Sequence, residues 1–327
     1  MSAPRRIDCH VHVVGNGTGG TGCWYRPRGL TSYGAPFMLR GMGLPGSTLK
    51  GDLDGLYAER VLAFIRESSV DAAVILAQDE PHRETGEPIE NVASFYVPND
   101  FVLGLARRHP EFLPAVSIHP ARRDALDELE RCLEAGAVML KCLPNCQNID
   151  WNNRRYTRFI ERMAESGLIL LAHTGSERTM PVLAPGLADP RMLTLPLEIG
   201  VTCIAAHCGT GTMGLDRDFF EVFVEMTRRH PRLYGDNSAL AALTFRLRPR
   251  ALRQMLEGEL AGRILHGSDV PVPVSGATAW AFGMLGWDDW RTSARMKNPI
   301  ERDAQLKRAL GFRDETFTRL SELLRKR

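Results

Sequence analysis

The sequence predicts an α/β protein, a single (β/α)8 barrel formed by residues 1–327 as one domain. Three observations predict it. Eight short runs rich in Val, Ile, Leu and Ala recur along the chain, the composition of strands buried on both faces. Helical patterns fill most of the intervals, and this alternation builds a parallel sheet. Histidine, lysine or aspartate closes most of the runs, at the ends where such a barrel opens its functional face. An open doubly wound sheet would place a helix directly behind the glycines of 15–20; the stretch that follows them reads as irregular.

In chain order, the first strand is expected over Ile7–Val13. Residues 14–52 come next, rich in Gly, Pro and aromatics and expected to be a long irregular loop. Leu56–Ser68 places Leu56, Leu62, Phe64 and Ile65 near one helical face, and Asp71–Gln78 is the second strand. Leu113–His119 and Ala137–Leu143 are the third and fourth strands. Between them, Asp124–Ala135 opens with an acidic turn and spaces Leu126, Leu129 and Leu133 by three or four residues. A helix over Thr157–Ser166 leads to the strand Leu168–His173, and Thr202–His207 follows. A helix over Phe219–Arg229 precedes Arg232–Asn237 and then Ile264–Asp269. Arg107-Arg108-His109-Pro110 and Arg229-His230-Pro231 are helix stops, cations in a last turn followed by proline. Residues 270–299, carrying Trp280, Trp287 and Trp290, are expected to be irregular and to cover the site or to form a homo-oligomer contact. Residues 314–327 form an amphipathic helix with Leu320, Leu323 and Leu324 on the side that packs on the barrel.

Composition narrows the function. The chain is 44% hydrophobic and 24% charged, with 41 basic and 39 acidic residues and a net charge of +2. That balance offers no electrostatic case for nucleic acid or a membrane surface and leaves a small-molecule substrate. No uncharged apolar run reaches the roughly 20 residues of a membrane span. Seven cysteines make no paired framework and read as reduced thiols, so a cytoplasmic protein is expected.

The candidate site is assembled from the strand ends. Alternation along a strand places His10 and His12 on one face, with Cys9 and Val11 on the other. His173 and His207 end consecutive strands in the same relative position, and each is followed by a turn. Asp269 can serve as metal ligand, general base or both. Lys141 lies in an otherwise apolar strand. An ammonium about 4 Å from a dication would be repelled by roughly 8 kcal/mol at an effective dielectric of about 20. Beside a metal, Lys141 is therefore neutral or chemically altered, for instance as a carbamate whose two oxygens bridge two metals. The alternative is a charged lysine paired with Asp or Glu in a metal-free or one-metal site. Candidate substrate contacts are Arg26, His119, Asn145, Glu177, Arg178 and Asn237, with Arg28 beside Arg26 in the first loop. His82 lies in a polar loop and is expected to face solvent; His266 is an odd step from Asp269 and is expected outside the barrel interior.

Asp8-Cys9-His10-Val11-His12, Lys141, His173-Thr174-Gly175, His207-Cys208-Gly209 and Gly267-Ser268-Asp269 together resemble the amidohydrolase superfamily, and more narrowly its amidohydrolase-related branch of metal-dependent hydrolases. The resemblance covers nearly the whole chain. It implies a TIM barrel with the site at the strands' C-terminal ends and one or two divalent metal ions, with Zn²⁺ the expected ion. In two-metal members, the implied ligands are His10, His12 and Asp269 for the buried ion and His173 and His207 for the exposed one, bridged by carboxylated Lys141. The implied reaction is hydrolysis of an amide, lactone or other ester bond by metal-bound hydroxide, with Asp269 moving the proton. The same branch holds one-metal decarboxylases and a metal-free lactonase, in which the strand-six histidine acts on substrate. A non-oxidative decarboxylase of an aromatic or unsaturated acid is thus the second reading. A non-catalytic ligand-binding barrel is the third.

Overall fold

The computed structural model describes residues 3–26, 31–212, 215–242 and 246–326, with backbone alone at 31–33; Arg28 lies outside the described residues. The main sheet has eight strands: β1 (Ile7–His12), β2 (Ala72–Leu76), β3 (Phe112–Val116), β4 (Met139–Cys142), β5 (Ile169–His173), β6 (Cys203–Ala206), β7 (Leu233–Asp236) and β8 (Ile264–Leu265). Each pairs in parallel with the next along the chain. The two edges meet as well. Cys9 N–H donates to His266 O at 2.9 Å, His12 N–H to Val270 O at 2.8 Å and Asp269 N–H to His10 O at 2.8 Å, so the sheet curls into the expected barrel.

Side-chain alternation gives the barrel two cores. Ala72, Val74, Met139, Ile169, Leu171, Ile204 and Leu265 fill the interior. Ala73, Ile75, Leu140, Leu170, Ala172 and Cys203 point outward into the larger layer beneath the helices. Leu320 joins the interior cluster, flanked by Leu323 and Leu324, so the C-terminal helix Asp314–Arg325 packs on the barrel as its apolar stripe predicts.

One departure from regular alternation matters for the site. Asp8 pairs with Ala73 but Val11 pairs with Ile75, so β1 carries one extra residue there, a β-bulge. Cys9 is therefore not turned to the outer layer. It packs in the interior cluster, its Sγ 4.0 Å from Asp236 Oδ2, while His10 and His12 keep the same face.

The helices follow local signals. Asp52 caps Leu53–Arg66 by accepting from Gly55 N–H, and Asn298 caps Pro299–Ala309 by accepting from Ile300 and Glu301 N–H. His109 and His230 stand in extended conformation just past Asn99–Arg108 and Phe220–Arg229, each before a proline, as stop signals should. Two loop expectations are corrected. Residues 14–52 include a helix over Thr31–Gly41, a 3-10 turn over Gly46–Lys50, and Trp24–Tyr25 paired antiparallel with Phe95–Tyr96. Residues 270–299 form helices Ala277–Ala281 and Trp287–Arg295, with Trp280 stacked on Trp290 at 4.9 Å. Glycine and proline spoil the sequence periodicity of both stretches, yet packing against neighbours supports short helices. Among the described residues no helix is long and apolar enough to cross a membrane.

Candidate active site

The site stands where the strands end. Lys141 shares the inward parity of Met139 on β4, between outward Leu140 and Cys142. His173 ends β5 and pairs in register with Ala206; His207 follows at once. Two of the polar residues hold left-handed backbone, His207 with φ 61° and Asp269 with φ 64°, a conformation that side chains other than Gly adopt rarely and mostly for a reason. Gly175 behind His173 also has positive φ, and a Cβ there would collide with Thr210 O. The turn that aims His173 thus needs glycine.

His10 Nδ1–H donates to Asp236 Oδ2 at 2.8 Å, which fixes the tautomer and leaves Nε2 as an acceptor. That Nε2 lies 3.3 Å from His12 Nε2 and 3.2 Å from Asp269 Oδ1, and His12 Nε2 is 3.3 Å from the same oxygen. One ligand atom from each of the three lies within 4.8 Å of the others. Two imidazole nitrogens and a carboxylate oxygen converging so closely suit a divalent cation, and the carboxylate behind His10 is the usual partner of a metal-binding imidazole. Lys141, fully buried, directs Nζ to His10 Nε2 at 3.1 Å.

His207 and His173 extend the array. The His207 ring is 5.2 Å from that of His10 and 4.9 Å from that of His173. His207 Nδ1 meets Ser238 Oγ at 2.8 Å, and its N–H donates to Asp236 Oδ1 at 2.8 Å. His173 Nε2 lies 3.1 Å from Ser176 O and 3.6 Å from Glu177 Oε2. Among the described residues, only His10, His12 and Asp269 bring three His, Cys, Asp or Glu donors close enough to share one ion.

Electrostatics follow from burial. Burial lowers the pKa of Lys141, opposed by Asp269 and Asp236. It lowers His173 to about 4 and drives His207 well down, so both imidazoles are neutral. Burial would raise Asp269 and Asp236, but His10, with hydrogen bonds from His12 to Asp269 and from His10 and the His207 backbone N–H to Asp236, outweighs it and holds both carboxyls below their ordinary range.

Beside these residues opens a cavity of about 220 Å³ whose walls include Met38, Leu39, Leu53, Phe95, Leu143 and Met180. His12, Lys141, His173, His207 and Asp269 reach it, and so do Glu177 and Arg178. Arg178 is half-exposed and pairs with Asp216 at 2.8 Å. The other expected substrate contacts do not line the cavity. Arg26 is exposed and lies over the Trp24 ring, and Asn237 accepts from Gly267 N–H. Asn145 gives its carbonyl to Leu183 and Ala184, and His119 is buried with Nε2 bonded to Gln147 O. His82 is a correction. It is buried rather than solvent-facing, because its loop folds back and sets the ring 5.0 Å from that of His119. His266 lies outside the interior, against Phe317 at 4.4 Å, as its parity requires.

Three residues escaped the sequence reading. Asp236 ends β7 with the parity of inward Tyr234, the same signal that marked the other strand-end residues. Ser238, which touches both His10 and His207, and buried Arg246 follow in irregular chain where no periodicity singles them out.

Comparison with known proteins agrees with this architecture. No curated protein matches the chain. Among solved structures, an uncharacterized TIM-barrel protein from Bordetella bronchiseptica has 16% identity and a TM-score of 0.55, covering 92% of this chain and 99% of that one. A candidate 2-pyrone-4,6-dicarboxylic acid hydrolase from Acinetobacter baumannii has 12% identity and a TM-score of 0.53 over 94% of this chain and 100% of its own. The 5-carboxyvanillate decarboxylase from Sphingomonas paucimobilis has 13% identity and a TM-score of 0.51 over 95% and 100%. At these identities the likeness is one of fold. The family model described as Amidohydrolase matches residues 7–304, nearly the whole barrel with all six expected metal-site positions, and the chain therefore belongs to the amidohydrolase family.

Proposed function

We propose that the chain is a metal-dependent, non-oxidative decarboxylase of a small aromatic or unsaturated carboxylic acid. One observation carries this reading: among the described residues one compact set of three His and Asp donors, His10, His12 and Asp269, stands beside a cavity whose walls are mostly apolar. The set suits one divalent ion, with Zn²⁺ expected from its imidazole and carboxylate donors. Bound there, the ion would supply a Lewis acid for the substrate's oxygen atoms. The solved structures of similar fold include both a decarboxylase and a hydrolase candidate, so fold alone does not choose.

The chain's own groups account for the rest. The apolar wall keeps water from a bound carboxylate, and loss of neutral CO2 moves that desolvated charge onto the unsaturated carbon framework, where it spreads until a proton arrives. The carbon–carboxylate bond breaks with its electron pair left on carbon, and a proton must replace CO2 there. Lys141 lines the cavity; in this one-metal site it is the charged lysine, which burial makes a stronger acid while Asp269 and Asp236 keep its ammonium beside the ion, and we assign it as the donor. His207 is neutral and held by Ser238 on the same wall, where it orients the acid.

Hydrolysis is the second reading, favoured by the position of Lys141 within reach of His10 and on the same cavity as the His207–His173 pair. There carboxylated Lys141 would bridge two metals, His173 and His207 would ligate the second, and Asp269 would move the proton. The two readings separate in one experiment. Purified, metal-loaded protein is assayed on hydroxybenzoates and unsaturated acids for released CO2, with metal counted in wild type and in Lys141→Met. Decarboxylation requires one CO2 per acid consumed, and one metal retained in a variant that has lost turnover. No CO2 from any acid, with amide or lactone cleavage and metal lost in Lys141→Met, would establish hydrolysis instead. All seven cysteines are free and buried, which supports placing the protein in the reducing cytoplasm with a small-molecule substrate.

A further inference from the structure

We infer that Arg246 anchors a second anionic group of the substrate, so that the ligand class is a small dicarboxylic acid with an apolar, unsaturated body. The inference rests on the reading above for the first carboxylate, which the His10–His12–Asp269 set receives.

Arg246 is 5% exposed and lines the same cavity as that set. Its Nη2 donates to Ser176 O. Its Nε and Nη1 are buried and find no acceptor among the described residues. Buried guanidinium donors almost always have partners, and a planar fork of this kind suits carboxylate geometry. Most of the remaining cavity wall is apolar, with Met38, Leu39, Leu53, Phe95, Leu143 and Met180 among its residues. A ligand that satisfies Arg246 must therefore carry its own acceptor through an apolar space.

The charges nearby agree. Glu177, Asp236 and Asp269 bear on Arg246, while Asp216 is already paired with Arg178 at 2.8 Å. These three carboxylates outnumber Lys141 and Arg246 by one, and a bound dication reverses that sign. The loaded site thus favours an anion that the empty site repels. Arg246 has a scaffold role too: Ser176 O, its acceptor, is also 3.1 Å from His173 Nε2. Such a role alone would not distinguish one carboxylate from two.

The test uses binding, separate from turnover. Benzoate, phthalate, isophthalate and terephthalate are titrated calorimetrically into metal-loaded wild type, Arg246→Met and Arg246→Lys, with melting curves to confirm folding. The expected result is a dicarboxylate that binds wild type about 10- to 100-fold more tightly than benzoate. Arg246→Met should abolish this preference while benzoate affinity holds within about threefold, below the tenfold that one lost charged hydrogen bond brings. Arg246→Lys, which keeps the charge without the fork, should retain part of the preference, and it carries the test if Arg246→Met does not fold. A preference that survives in Arg246→Met, an equal loss of benzoate and dicarboxylate binding, or no dicarboxylate preference in wild type would overturn the inference. Absence of CO2 release would sink the decarboxylase reading and leave this dicarboxylate preference as measured.

Discussion

At the residue scale, the most informative side chain is one that need not touch a metal. Asp236 binds His10 Nδ1 through one oxygen, while the other accepts from the His207 and Ser238 backbone N–H groups at 2.8 and 3.1 Å. It thereby fixes one imidazole's tautomer and the backbone position of a second. Exchanging it for Asn keeps the volume but removes the charge and turns one acceptor into a donor. We expect Asp236→Asn to weaken metal affinity about 10- to 100-fold with the fold intact, as for other partners of metal-binding histidines. Chelator competition with far-UV circular dichroism checks this. Unchanged affinity would mean that Asp236 serves packing alone. Lys141 is the counterpart at this scale: its Nζ reaches the lone pair that the same tautomer exposes.

At the element scale, the segment bearing Asp269 is held by a buried ionic network on the outer side of β1 and β8. Asp8 Oδ1 accepts from His10 N–H at 3.0 Å and from Ser268 N–H at 2.9 Å. Lys307, on the helix Pro299–Ala309, donates to Gly267 O and to Asp303 on its own helix. Lys307, Asp303 and Asp8 are all fully buried, and burial raises Asp303 to about 7 despite Lys307. Lys307→Met strands the carboxylates and should cost about 3–5 kcal/mol, whereas Lys307→Met with Asp303→Leu should recover much of the loss. Urea unfolding of the single and double variants measures the difference. Equal destabilisation of both would show that the ion pair is not what anchors this helix.

At the scale of the whole molecule, the barrel converts distance along the chain into proximity. His10 and Asp269 lie at opposite ends of the sheet in sequence, yet β1 and β8 close on each other and bring His10 Nε2 within 3.2 Å of Asp269 Oδ1. An ion held by both therefore ties the first strand to the segment after the last, and only in the folded chain. Metal should stabilise by about 2.7 kcal/mol when free metal is 100-fold above Kd. The midpoint of thermal unfolding should then rise as metal is titrated into stripped protein, with no change in far-UV circular dichroism. A midpoint indifferent to metal would show that no ion bridges this closure.

The sequence by itself determined the barrel, its eight strands, the C-terminal helix on the interior core and the residues His10, His12 and Asp269 that come together. These follow from period-2 alternation and apolar runs, which are local properties of strands buried on both faces. Tertiary structure alone decided the rest. The bulge that turns Cys9 inward depends on the register with β2, which alternation within one strand does not encode. The short helices within 14–52 and 270–299 form against neighbours that propensity does not see. Asp236, Ser238 and Arg246 acquire their roles from what faces them in the closed barrel, and His82 loses its expected exposure because its loop packs it against His119. Periodicity fixes which way a side chain points, whereas only closure of the sheet fixes what it meets.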